Sequence, residues 1–256
     1  MRRFMACMKK ELTEQLRSGK LTILGLVFLL FGVMNPAVAK LTPWLMEMMA
    51  DTLEGSGLVI TQVTVTAMDS WVQFFKNIPM ALIVFVLLEG SIFTREYGSG
   101  TLILSLSKGL PRHAVVLSKT AVTALLWSGG YWLCFGVTYA YNAYFWDNAV
   151  ARHLGFSAVV WWLFGLWVLS LVVLFSVLST SGSTVLTATG GVVFGAYLLG
   201  MIPKLREYLP TALTDGNSLI YGMEEPRAYA VALAVTAALT LLCPAASVPI
   251  MNKRQL

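Results

Sequence analysis

The ionisable residues of this chain are few, and most stand apart from one another. Glu224 and Glu225, followed by Arg227, come nearest to a catalytic carboxylate pair. They border an apolar run instead of lying within one, and Pro226 separates them from the arginine. Acid–base work needs a tuned pair or a converging partner, and no histidine falls inside an apolar run to supply one. His113 and His153 read as solvated residues between runs. Cys7, Cys134 and Cys243 are far apart and without C-x-x-C spacing, so neither a disulfide frame nor a zinc site is indicated. There is no G-x-S-x-G elbow. The Gly19-Lys20 pair lacks the upstream glycine of a nucleotide-binding loop. If ATP drives this protein, another chain must bind it and its Mg. The chain itself is expected to hold no cofactor or metal and to be no enzyme.

Two further features bear on function. Glu89 is the one acid well inside an apolar run. Such carboxylates are costly and face a cavity or a partner, or else snorkel to a nearby interface; both readings stand for Glu89. The stretch 182–200 is rich in small residues, including Thr187 and a G-x-x-x-G pair at Gly191 and Gly195. Small residues let helices approach closely in lipid. That face is either a pathway wall or subunit interface, or it packs within the chain.

The elements that must position these residues follow from composition. Of 256 residues 57% are hydrophobic and 12% charged, about half the charge of a soluble domain. Apolar runs of roughly 20 residues recur, and lipid leaves such spans no choice but the helix. The pattern predicts an all-α integral membrane protein forming one domain over 1–256. Residues 1–20 read as an amphipathic interfacial helix, with Phe4, Met8, Leu12 and Leu16 on one stripe. Six spans are expected at about 21–39, 71–94, 114–139, 158–178, 184–202 and 228–250. The first ends in A-V-A like a cleavage site, but its long charged lead argues for an uncleaved span. Residues 40–70 read as short amphipathic helices outside the membrane, and 203–227 as a second polar loop.

Placing the N-terminus inside gives twelve Lys and Arg on the cytoplasmic side against six outside, with nine of the thirteen acids outside. The positive-inside rule then puts both termini in the cytoplasm. A net charge of +5 reflects this topology, and no basic cluster interleaved with aromatics suggests nucleic acid.

Residues 94–119 read T-R-E-Y-G-S-G-T-L, then L-S, P-R-H and L-S-K. This order resembles the cytoplasmic segment of exporter-type (type-2) ABC transporter permeases, the compact membrane subunits of bacterial drug, bacteriocin and antimicrobial-peptide exporters. Their pattern is approximately E-Y-x-x-G-T-L-x-x-x-L-S, then P-x-S-R and a lysine opening the third span. Glu96, Tyr97, Gly100, Thr101, Leu102, Leu104, Ser105 and Lys119 match it, while the P-x-S-R part is altered to Pro111-Arg112-His113. The stretches L-P-T-A-L-T-D-G-N-S-L-I-Y-G and K-K-E-L-T-E-Q-L-R-S-G-K are also similar to these permeases.

The resemblance implies an elbow helix before six spans and a coupling helix between spans two and three. Glu96, Gly100, Thr101, Leu102, Ser105, Pro111 and Arg112 would couple it to cytosolic ATPase subunits, with Glu96 and Arg112 making contacts at the socket rim. Spans two and five would wall the pathway. A second permease subunit, identical or related, would complete a dimer that moves a hydrophobic or amphipathic peptide, drug or lipid by alternating access. The alternative is a membrane sensor or anchor that recruits an ATPase for cell-envelope signalling without transport.

Overall fold

The computed structural model describes residues 2–53, 64–90, 92–94, 96, 100 and 111–253, with only the backbone described at 2, 3 and 49–53. All long elements are helices. They are α1 (Arg2–Arg17), α2 (Lys20–Leu53), α3 (Ala67–Glu89), α4 (Arg112–Phe145), α5 (Leu154–Leu178), α6 (Gly182–Gly200), the short α7 (Pro203–Arg206) and α8 (Gly216–Ile220), and α9 (Ala230–Lys253). Six of these are long and apolar enough to cross a membrane: α2 through α6, and the stretch Pro226–Lys253 that contains α9.

The helix bounds depart from the hydropathy pattern in instructive ways. α2 continues to Leu53 through Pro36 and Pro43, so residues 40–53 extend the first span's helix instead of starting a separate one, while 54–63 lie outside the described residues. Proline removes one hydrogen bond from a helix interior, and here the orphan is met from a neighbour. Pro36 has no N–H for the carbonyl of Gly32, and Thr138 Oγ1 of α4 donates to that oxygen at 3.0 Å. Asn35 Nδ2 donates to the same hydroxyl at 3.2 Å, and Asn77 Nδ2 of α3 donates to Asn35 Oδ1 at 3.0 Å. One polar chain therefore ties α2, α3 and α4 where lipid offers no partner. α3 starts earlier than expected because Thr66 and Asp69 form a capping box, with Thr66 N donating to Asp69 Oδ2 at 2.8 Å. It also ends at Glu89, before the expected limit of 94.

α5 is the central helix. Two-thirds of its apolar window is buried, against 17% for α6. Helices in lipid associate through close packing, and the approach is closest at Gly165, where a Cβ would lie 2.2 Å from Trp127 Cζ2. Around this crossing Phe28, Phe85, Trp127 and Tyr131 meet edge-on or tilted, at centroid separations of 5.5–6.4 Å. Cys134 and Cys243 are buried and free.

Residues 203–227 are not the polar loop their composition suggests. Pro210–Leu213 are buried, Leu213, Leu219 and Ile220 completely so. The segment turns back into the bundle, where Trp161 Nε1 donates to Thr214 O at 2.9 Å. Glu224 and Glu225 lie on the outer turn of this segment, partly and fully exposed.

Candidate functional site

At the end of the bundle that carries α1, charged side chains converge below the surface. α1 turns into α2 through Gly19, whose φ of +73° only glycine adopts readily. That turn lays α1 across the start of α4 and α2. The apolar residues Met5, Leu12 and Leu16 of α1 remain exposed, whereas Cys7, Glu11 and Gln15, spaced by four, form its buried face. The helix thus docks by a largely polar stripe, while the apolar one is half-buried at Phe4 and Met8 and exposed at Leu12 and Leu16.

Opposite Glu11 stands Lys119 of α4, 2% exposed. Its ammonium lies 2.8 Å from Glu11 Oε2 and 3.2 Å from Glu96 Oε2, and 5.4 Å above the Phe93 ring. Lys10 reaches Glu96 Oε1 from the rim at 3.1 Å. One layer inward, Glu89 is fully buried; Gln15 Nε2 donates to its Oε2 at 3.0 Å and Lys20 Nζ to its Oε1 at 3.4 Å. Three buried carboxylates therefore face three ammoniums, the condition under which buried charge is tolerable. Burial pushes the Glu11 carboxyl above its usual range, with Lys119 pulling the other way. Burial likewise raises the Cys7 thiol, helped by the Glu11 carboxylate. Carboxylate oxygens of Glu11, Glu14 and Glu96 come within 4.8 Å of one another, and Lys119 and Lys10 are ion-paired with Glu11 and Glu96.

Both flanks of the 96–112 stretch are held, the first by this network and the second by the end of α9. On the first flank, Ile92 and Phe93 are buried in an apolar cluster with Val115 and Val116 of α4, Val173 and Val177 of α5, and Met251 of α9. Glu96 follows directly and is held by the two lysines. On the second flank, Arg112 Nη1 donates to Met251 O at 2.6 Å and Asn252 O at 3.1 Å. It thereby caps the end of α9, where a cation suits the helix dipole. Gly100 has φ +67°, a conformation that favours glycine. Pro111 is the N-cap of α4. Thr101, Leu102 and Ser105 lie outside the described residues.

Glu96 and Arg112 are both engaged within the chain, Glu96 by Lys10 of α1 and Lys119 of α4, and Arg112 by the end of α9. Glu89 does not snorkel; it is sealed between α1 and the start of α2. The apolar stripe of α1 reads as its membrane-interface face, and the face by which the helix docks on the bundle is a different one. Glu11, Gln15, Lys10 and Lys20 went unnoticed as partners, although a Cys-Glu-Gln series at helical spacing within a basic helix was the signal.

The α6 residues lie elsewhere. Thr187 and Gly191 are exposed and Gly195 is partly so, and a Cβ on Gly190, Gly191 or Gly195 would meet nothing within 4 Å. Beside them a groove of about 300 Å³ runs between α3 and α6, floored by α5, with Leu82, Val86, Phe164, Thr189 and Val193 among its walls. Glu89 is not among them. Its neighbour Gly90 touches the same helix lower down, where a Cβ would lie 2.6 Å from Leu186 Cδ2.

A helical bundle of six apolar spans with a docked amphipathic helix defines a polytopic membrane protein. Residues 5–205 match the family model described as ABC-2 family transporter protein. The chain belongs to that family, whose members are membrane subunits of ABC transporters and partner an ATPase. No curated protein and no solved structure matches it significantly.

Proposed function

We propose that this chain is the permease subunit of an ATP-driven exporter in the bacterial cell membrane, with both termini in the cytoplasm. A separate ATPase supplies the energy and holds ATP and Mg. A second permease subunit, identical or related, pairs through the open α6 face bearing Thr187, Gly191 and Gly195. The cargo is a hydrophobic or amphipathic peptide, drug or lipid, which passes by alternating access along walls that include α3 and α6.

The observation that supports this reading is the buried ion network that holds Glu96. A coupling segment must transmit force, and a force applied there meets a chain pinned on both flanks. Displacing Glu96 pulls on Lys119 of α4 and, through Glu11, on α1. Displacing Arg112 pulls on the end of α9. Packed, ion-paired elements of this kind shift as units and do not deform smoothly. In this account Glu96 and Arg112 are transmission residues, and contact with the ATPase falls to Gly100, Thr101, Leu102 and Ser105 around them.

The test is co-purification of the tagged chain from its native host, followed by mass spectrometry. A stoichiometric ATPase with a nucleotide-binding loop supports the permease. Recovery of the chain alone, in detergents that preserve comparable complexes, would sink it. Reconstitution then separates export from a sensing role, because a sensor turns over ATP without moving any amphiphile across the liposome.

A further inference from the structure

The molecule has a second groove on the side away from α6. It lies between α4 and α9, is floored by α5, and has a volume of about 470 Å³, with Phe4 of α1 at its α1 end. Its walls are apolar, with Leu117, Ala121, Leu169 and Leu241 among them, and it is dotted with Thr120, Ser170 and Thr240. Those three hydroxyls are turned onto backbone carbonyls of their own helices, and Thr123 adds a fourth, buried without a hydrogen-bond partner, so the surface offered is a mainly apolar trough. The size is that of a small-ligand site.

We propose that this groove holds one acyl chain of an anionic phospholipid from the cytoplasmic leaflet. The occupant follows from charge. Neither the α4 and α9 walls nor the α5 floor contains an aspartate or a glutamate along its length; α1, which closes one end with Phe4, has its two acids, Glu11 and Glu14, about two and three turns away from Phe4. The α1-end termini of α4 and α9 carry Arg112, His113 and Lys253. His113 is exposed and lies one turn beyond Leu117 on the same face of α4. Lys253 is exposed in the last turn of α9. An apolar trough that opens under an all-basic rim matches an acyl chain beneath an anionic headgroup. A second permease subunit does not compete for the site. α5 turns Leu166, Leu169, Ser170 and Val173 to this groove, and Trp161, Phe164 and Val168 to the α6 groove. At 3.6 residues per turn these sets occupy opposite faces. A partner seated on α6 leaves this side in lipid.

The leaflet assignment rests on the proposed topology, but the binding test does not. The detergent-purified chain is stripped of lipid, and phosphatidylglycerol or phosphatidylcholine with identical acyl chains is titrated during native mass spectrometry. The wild type should retain one phosphatidylglycerol with a preference of about fivefold for each basic side chain in contact. Ala121→Trp should remove retention of both lipids. Should that variant fail to fold, Ala245→Trp at the exposed edge of the groove serves in its place. His113→Gln combined with Lys253→Gln should keep binding but lower the preference to the part that Arg112 supplies. Equal retention of the two lipids by the wild type, or unchanged retention with the groove filled, would overturn the proposal.

Discussion

Replacing Lys119 by methionine keeps the length and apolar stem of the side chain but removes the ammonium between Glu11 and Glu96. Both carboxylates are then left in a region where their side chains are only 8% and 7% exposed. Deleting one partner of a buried pair costs about 3–5 kcal/mol. Lys10 still reaches Glu96 at 3.1 Å and Glu11 at 4.0 Å from the rim, so the lower bound, about 3 kcal/mol, applies. For a chain of this size that corresponds to a fall in Tm of roughly 6–12 °C. The assay is thermal unfolding of the detergent-solubilised protein followed by tryptophan fluorescence. Because the stranded carboxylates can take up protons, the loss should be smaller at acid pH than at alkaline pH. Adding Glu11→Gln and Glu96→Gln to Lys119→Met should recover most of the stability, since neutral groups need no counter-charge. A drop of less than about 2 °C, the size expected of an exposed pair, would refute the argument that the network is buried and mutually dependent.

Other substitutions probe separate parts of the structure. Glu89→Ala strands the amide of Gln15 and the ammonium of Lys20, and should cost about 2–3 kcal/mol in the same unfolding assay; Glu89→Gln, which keeps an acceptor, should cost about half as much. Gly165→Ala forces a methyl into Trp127 and should destabilise by about 1–3 kcal/mol, whereas Gly191→Ala should leave monomer unfolding unchanged and show its effect only in cross-linking between subunits. Thr138→Val removes the donor to the Gly32 carbonyl and should lower Tm by the equivalent of about 1 kcal/mol. The Glu11 carboxyl lies above its unfolded value, so its contribution to stability is full below the ordinary glutamate value of about 4.3 and is lost as pH rises through the higher folded value; Glu11→Gln should flatten that part of the pH profile of Tm.

Hydropathy alone carried the six spans, because a length of apolar residues sufficient to cross lipid leaves little freedom in secondary structure. It did not carry the ends. The passage of α2 through Pro36 is supported by Thr138, which donates to the orphaned Gly32 carbonyl across 106 positions of sequence. The burial of 210–220 depends on Trp161 and on the space between α3, α5 and α9, which no local pattern records. The site was half legible. The 94–119 stretch announced itself through its match to a family pattern, and Glu89 through its cost. Their partners on α1 did not, because a helix read for its apolar stripe hides the polar stripe by which it docks. The internal partners of Glu96 and Arg112, Lys119 and the end of α9, are distant in sequence and no local pattern records them.

The central claim is that force enters at 96–112 and passes through the ion network to the spans. The direct measurement is ATP turnover and transport by the complex reconstituted with the Glu96→Gln and Lys119→Met double variant, once assembly with the ATPase has been confirmed by co-purification. The account predicts an assembled complex in which ATP hydrolysis continues but no longer drives movement of an amphiphile across the liposome. Transport at the wild-type rate, with the network removed and the complex intact, would contradict it.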